Sequence, residues 1–229
     1  MEKEYILFID SGIGGLSTLS KTIKSLPANY IYYADNAHVP YGTHSRSEIL
    51  EFLCEIINKL SKKYKFRIVV LACNTATTCC VRILRKIFKN LTIIGTEPAL
   101  KLAKNHGFDK ILAITTPTTA NQNKYLQLKK AQNALISTHK ATTLASVIEN
   151  YFALQSFLSY IKLLKCLCSI SQKAQKFDCI VLGCTHYVLV SDILRKFTKK
   201  PLIDGNNGVC KQVEQAFYKL VSHKERQGY

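Results

Sequence analysis

No stretch of the 229-residue chain approaches the roughly 18 apolar residues that a membrane-spanning helix needs, which argues against a membrane partner. No Pro/Gly/Ser-rich linker and no low-complexity tract interrupts it, so nothing marks a disordered join. The glycine-rich run Asp10-Ser11-Gly12-Ile13-Gly14-Gly15 lacks a following Lys-Ser/Thr pair and is not GxGxxG, which excludes the two common nucleotide-phosphate loops. His38 and His44 flank a turn, while His106, His139 and His223 stand apart. With no second ligand motif, no metal site is expected. Acidic residues are scarce, at 15 against 32 Lys and Arg, for a net charge of +17. That surplus raises a nucleic-acid partner as a rival reading. The lysines, however, are scattered in pairs such as Lys62-Lys63 and Lys199-Lys200, without a basic stripe interleaved with aromatics. A solvated basic surface that attracts small anions is the better reading. The first apolar run, residues 5–9, is too short and too acidic at its flank for a signal peptide. A reducing, cytoplasmic setting is expected, with the nine cysteines as thiols.

What the chain does have is alternation. Short apolar runs at 5–9, 30–34, 67–71, 91–94, 111–114, 179–182 and 202–203 read as strands. Between them lie helical stripes, Leu16, Leu19, Ile23 and Leu26 in one, and Ile49, Leu53, Ile56, Ile57 and Leu60 in another. This is the pattern of an α/β fold with mostly parallel sheet. Residues 141–175 read as helical. Ile68-Val69-Val70-Leu71-Ala72-Cys73-Asn74-Thr75 is echoed by Cys179-Ile180-Val181-Leu182-Gly183-Cys184-Thr185-His186, and, more weakly, the segment ending Asp10-Ser11 by that ending Thr115-Thr116. Two related halves facing each other would explain both echoes. One sheet that reuses a turn type would explain them as well.

Ligands bind at the carboxyl ends of parallel strands. Five polar clusters fall there: the 10–15 run, Asp35 with Pro40-Tyr41-Gly42, Cys73-Asn74-Thr75, Thr115 to Thr119, and Gly183-Cys184-Thr185-His186. A cysteine between a strand and a helix meets backbone N–H groups and the positive helix end, which predicts a lowered thiol pKa. An isolated cysteine of this kind is ordinarily a buried, inert one, and Cys79, Cys80, Cys166 and Cys168 are read that way. Two in the same strand-turn-helix setting, Cys73 and Cys184, point to a paired role. A base on each face of a carbon acid is what stereoinversion requires: one thiolate removes a proton and the opposite thiol returns one. Hydroxyl and amide groups at Ser11, Asn74, Thr75, Thr116, Thr119 and Thr185 could clamp an amino-acid substrate and steady its carbanion.

The ordered set Asp10-Ser11-Gly12-Ile13-Gly14-Gly15-Leu16-Ser17, Ala34-Asp35 with Pro40-Tyr41-Gly42, Ala72-Cys73-Asn74-Thr75-Ala76, Glu97-Pro98-Ala99 and Leu182-Gly183-Cys184-Thr185-His186-Tyr187 resembles the bacterial glutamate racemase family. The resemblance runs from about residue 5 to 204 and is weak over 126–176. It implies two flavodoxin-like parallel-sheet domains related by a pseudo-twofold axis, with the active site between them. The first would comprise 1–95 plus 205–229 and the second 96–204. It implies a cofactor-independent enzyme that interconverts L- and D-glutamate for peptidoglycan synthesis, and a homodimer. Cys73 would deprotonate D-glutamate with help from Asp10, and Cys184 L-glutamate with help from His186. Asp10, Ser11, Tyr41, Gly42, Asn74, Thr75, Thr185 and His186 match substrate-binding positions, and Glu97 would support the Cys73 side. The chain departs from the family at Val188, where a proline is common, at Gln122, where a serine is common, at Asp204-Gly205, where Asp-Ser is usual, and in being short.

Overall fold

The structure is a computed structural model that describes residues 3–226, so the outermost residues of the expected first domain lie outside the described part. Two four-stranded sheets form it, and every strand pairing is parallel. The first contains β1 (Glu4–Asp10), β2 (Asn29–Ala34), β3 (Lys65–Leu71) and β4 (Thr92–Gly95), in the order β2-β1-β3-β4. The second contains β5 (Lys110–Thr115), β6 (Leu135–Lys140), β7 (Cys179–Leu182) and β8 (Leu202–Ile203), in the order β6-β5-β7-β8. The two orders are the same pattern, with β3 standing where β7 stands. That is the two-domain, flavodoxin-like repeat that the family resemblance implied, and it excludes a single sheet that reuses one turn type.

The helices follow the strands. In the first half they are α1 (Leu16–Ser25), α2 (Arg46–Ser61) and α3 (Asn74–Ile87). In the second they are α4 (Leu100–Asn105), α5 (Pro117–Asn121), α6 (Asn123–Lys130), α7 (Leu144–Leu154), α8 (Phe157–Ala174), α9 (Thr185–Leu189) and α10 (Ser191–Arg195). The chain then returns through α11 (Asn206–Arg226) to the first sheet, where Val209 and Val213 bury against Ile6, Phe8 and Val70.

Strand pleating sorts each sheet into two cores, because successive side chains point to opposite faces. Ile6, Phe8, Ile68 and Val70 face α1 and α11, while Leu7, Ile9, Val69 and Leu71 face α2 and α3. In the second sheet Leu112, Ile114, Ile180 and Leu182 face α7 and α8, and Ile111, Ala113, Cys179 and Val181 face α4 and α6. Burial on both faces is why these strands read as unbroken apolar runs.

The structure differs from the expectation in three places. β6 was not expected. It is an edge strand with Ile136 as its one buried residue, so its polar LISTHK sequence carries no apolar run. The α1 stripe is only half right: Leu19 and Leu26 are buried, whereas Leu16 and Ile23 are exposed. Thr18 and Thr22 take their place, with hydroxyls that meet Asn206 at 2.8 Å and Cys210 at 3.3 Å on α11. Cys166 and Cys168 are half-buried, not buried.

Phe8 is fully buried between β1 and the returning α11. Phe8→Ala is expected to cost about 3–5 kcal/mol of unfolding free energy, measured by urea denaturation.

Candidate active site

The carboxyl ends of β1, β3, β5 and β7 converge. Asp10, the last residue of β1, is fully buried. Its Oδ1 accepts the Gly12 N–H at 2.9 Å, and its Oδ2 accepts the Thr185 hydroxyl of the second half at 3.0 Å. Burial pushes its carboxyl up to about 6, although the His186 charge and these hydrogen bonds pull the other way. Gly14 closes the same contact. A Cβ there would lie 2.6 Å from Thr185 Oγ1 and 2.7 Å from the His186 nitrogen, so glycine is what lets the halves meet.

Cys73 is the N-cap of α3, with its sulfur 4.0 Å from Ser11 Oγ. The expected lowering of its pKa is not found. Burial and then the Asp10 carboxylate push the thiol well above its ordinary value, and they outweigh the Ala76 and Thr75 N–H groups that the helix start supplies. The negative charge of Cys184 adds to this rise, so the two sulfurs lie within electrostatic reach of each other.

Cys184 caps α9 in the same manner, and its sulfur lies 3.7 Å from His186 Nδ1. Burial alone would lower the His186 pKa. Its hydrogen bonds with Cys184 and to the accepting Glu149 carboxylate reverse that and hold the imidazole well above its usual value, hence charged. The equivalent thiols therefore have unlike neighbours, a carboxyl at Cys73 and an imidazolium at Cys184.

A three-way hydroxyl cluster joins the halves beside Cys73. Thr75 Oγ1 lies 3.0 Å from Thr116 Oγ1 and 3.1 Å from Thr119 Oγ1, and the last two are 3.0 Å apart. Asn74 Nδ2 donates to the Thr96 carbonyl at 3.4 Å. The Tyr41 hydroxyl donates to Asp35 at 2.7 Å, and Gly42 packs on Thr116, 3.1 Å from where a Cβ would be. Asp10, Ser11, Tyr41, Asn74, Thr75, Thr116, Thr119, Thr185 and His186 are all at most 5% exposed, as are both cysteines. Glu97 does not join them. Its carboxylate pairs with Lys124 at 2.5 Å on the wall of a separate cavity of about 570 Å³, lined also by Arg85 and Lys101, so support for the Cys73 side is not what its geometry offers. No group of three or more His, Cys, Asp or Glu among the described residues is arranged to hold a metal ion.

Glu149, on α7, is the residue that sequence reasoning missed. Its Oε1 accepts from His186 Nε2 at 2.5 Å and from the Ile13 N–H at 3.0 Å. Burial would raise its pKa, but these two hydrogen bonds prevail and lower it, so it remains a carboxylate beside the imidazolium. A signal was present: Glu149 is the sole acidic residue between Asp109 and Asp178.

Two parallel-sheet halves thus bury a pair of thiols, a carboxyl and an imidazolium near the carboxyl ends of their central strands, where α/β folds bind ligands. Residues 9–213 match the family described as Asp/Glu/Hydantoin racemase, and the chain belongs to that family as an amino-acid racemase. The glutamate racemase of Clostridium botulinum is 34% identical over 216 residues, covering 91% of this chain and 81% of its own. The solved Escherichia coli glutamate racemase, in complex with L-glutamate and the activator UDP-MurNAc-ala, is similar at a TM-score of 0.83 and 25% identity, over 93% of this chain and 82% of that one. The Francisella tularensis glutamate racemase in complex with D-glutamate follows at 0.79 and 26%, over 96% and 82%.

Glu149→Gln keeps the shape but removes the charge that holds His186 as a cation. Turnover is expected to fall about 10- to 100-fold with the fold intact, checked by steady-state kinetics beside circular dichroism.

Proposed function

We propose that the protein interconverts L- and D-glutamate by a two-thiol proton transfer that needs no cofactor. The observation that carries this reading is the placement of Cys73 and Cys184 at equivalent positions after β3 and β7 of two like-ordered sheets, close enough to sense each other's charge. The division into 1–95 with 205–229 and 96–204 then puts one thiol in each domain. In the resting pocket Cys73 is held as a thiol, and His186 is held as a cation with its Nδ1 3.7 Å from the Cys184 sulfur. Cys184 is thus ready to take the α-proton of L-glutamate while Cys73 returns one to the opposite face. Asp10 serves the reverse direction by taking the Cys73 proton. The donors that clamp the substrate are Ser11, Asn74, Thr75, Thr116, Thr119 and Thr185, with the Tyr41-Gly42 turn shaping the wall. Because these groups are sealed at most 5% exposed, entry of the amino acid requires the domains to part.

The relatives named as glutamate racemases support glutamate over aspartate. Supplying D-glutamate for peptidoglycan, working in the cytoplasm and assembling as a homodimer belong to the same proposal. No helix among the described residues is long and apolar enough to cross a membrane.

The test is to incubate the purified protein with each glutamate enantiomer and follow optical rotation to the racemic end point. Turnover of aspartate alone would overturn the assignment. Cys73→Ser and Cys184→Ser are each expected to cut racemisation by at least about a thousandfold while the protein still folds. A mild effect of either would mean a one-thiol mechanism.

Asp10 also gives a pH prediction. Its folded value, about 6, lies above the unfolded 3.8, so the folded protein holds this proton more tightly and stability falls as pH rises through that window. Asp10→Asn is expected to gain about 2 kcal/mol over the parent at neutral pH and to gain nothing below about pH 4, measured by urea denaturation. Its racemisation is expected to collapse.

A further inference from the structure

The peptide between Gly12 and Ile13 is gripped at both ends. Its carbonyl accepts from the Tyr32 hydroxyl at 2.6 Å, and its N–H donates to Glu149 Oε1 at 3.0 Å. The same carboxylate oxygen accepts from His186 Nε2 at 2.5 Å, and the other ring nitrogen lies 3.7 Å from the Cys184 sulfur. A continuous polar chain therefore runs from Tyr32 on β2, across one peptide plane of the first half, to Cys184 in the second.

We propose that Tyr32 is a positioning residue for proton transfer at Cys184: its hydroxyl fixes the Gly12–Ile13 peptide, and through it the Glu149 carboxylate that orients His186. This rests on the racemase reading above. A peptide unit is planar, so turning its carbonyl turns its N–H as well. Gly12 is the residue least able to resist such a turn, since glycine lacks the Cβ that restricts its neighbours' torsions. No other residue could stiffen the position from within, because a Cβ at Gly12 would fall 1.9 Å from Glu149 Oε1. The restraint has to come from outside, and a tyrosine suits it. Its ring packs in the core beneath α1 and α11, opposite Phe8 in register, and only its tip reaches the loop. Burial, together with the Asp10, Cys73 and Glu149 charges, raises its hydroxyl far above the ordinary range, so it stays protonated and stays a donor.

Tyr32→Phe removes the donor and leaves the ring. Racemisation efficiency is expected to fall about tenfold, equally in both directions because the two enantiomers have equal energy. Isotope effects then separate positioning from simple loss of active protein. If the Cys184 transfer has become the slower one, the effect on kcat/KM rises with α-deuterated L-glutamate and falls toward unity with α-deuterated D-glutamate. In a Glu149→Gln background the same change is expected to cost less than about twofold, since the chain is already broken. Three results would overturn the inference: a wild-type rate in Tyr32→Phe, a loss that leaves both isotope effects unchanged, or full additivity with Glu149→Gln. Absence of any glutamate turnover by the unmodified protein would overturn the parent reading, and this inference with it.

Discussion

The loop after β1, where it meets two helices of the other half, holds this site together. Asp10 accepts the Thr185 hydroxyl at the start of α9, and Gly12 makes way for Glu149 on α7. Where these contacts form, water is displaced from around both sulfurs, and every charge in the pocket acts at low effective dielectric. Burial is the largest cause of the upward shifts at Asp10 and Cys73, whereas His186 is raised against burial by its hydrogen bonds with Cys184 and Glu149 of its own half. Gly12 and Gly14 of the 10–15 run are better understood as contact surface between halves than as a loop for phosphate. Their lack of side chains lets a carboxylate and a helix start approach the backbone.

Closure also decides between two opposed influences on Cys73. A thiol at a helix start is expected to be acidic, and the N–H groups of Thr75 and Ala76 do point that way. Burial beside a carboxyl is the larger effect, and the thiol stays protonated. Sequence can locate a helix start, but it cannot weigh the desolvation that depends on a partner domain more than a hundred residues away. Glu149 was missed for a related reason. It sits in the middle of an apolar amphipathic helix in the segment of weakest family resemblance, and nothing local says that its face meets the β1 loop.

What was legible followed from strong local patterns. The central strands, buried on both faces, leave unbroken apolar runs, and the edge strands β2, β4 and β8 keep short apolar or aromatic runs, so seven of the eight were visible, whereas the polar edge strand Leu135–Lys140 was not. Cys73 and Cys184 were visible because each follows such a run at the carboxyl end of a strand. The threonines of the Thr75, Thr116 and Thr119 cluster were visible as strand-end hydroxyls, but their convergence into one hydrogen-bonded group across the halves was not. Glu97 shows the converse. Membership in a shared motif placed it near the chemistry, whereas its carboxylate is spent on Lys124 elsewhere.

The like backbone and unlike chemistry of the two thiols fit the reaction they are assigned. Interconverting mirror-image molecules has no net driving force, so efficiency must be equal in both directions whatever the catalyst looks like. That equality does not require the two bases to be alike. It requires only that what one transfer loses, the other direction also loses. A buried carboxyl helps hold Cys73 as a thiol, while an imidazolium stands 3.7 Å from the Cys184 sulfur. Two strand-turn-helix units of one pattern thus set a sulfur at matching positions, and unlike neighbours give each its own electrostatic surroundings.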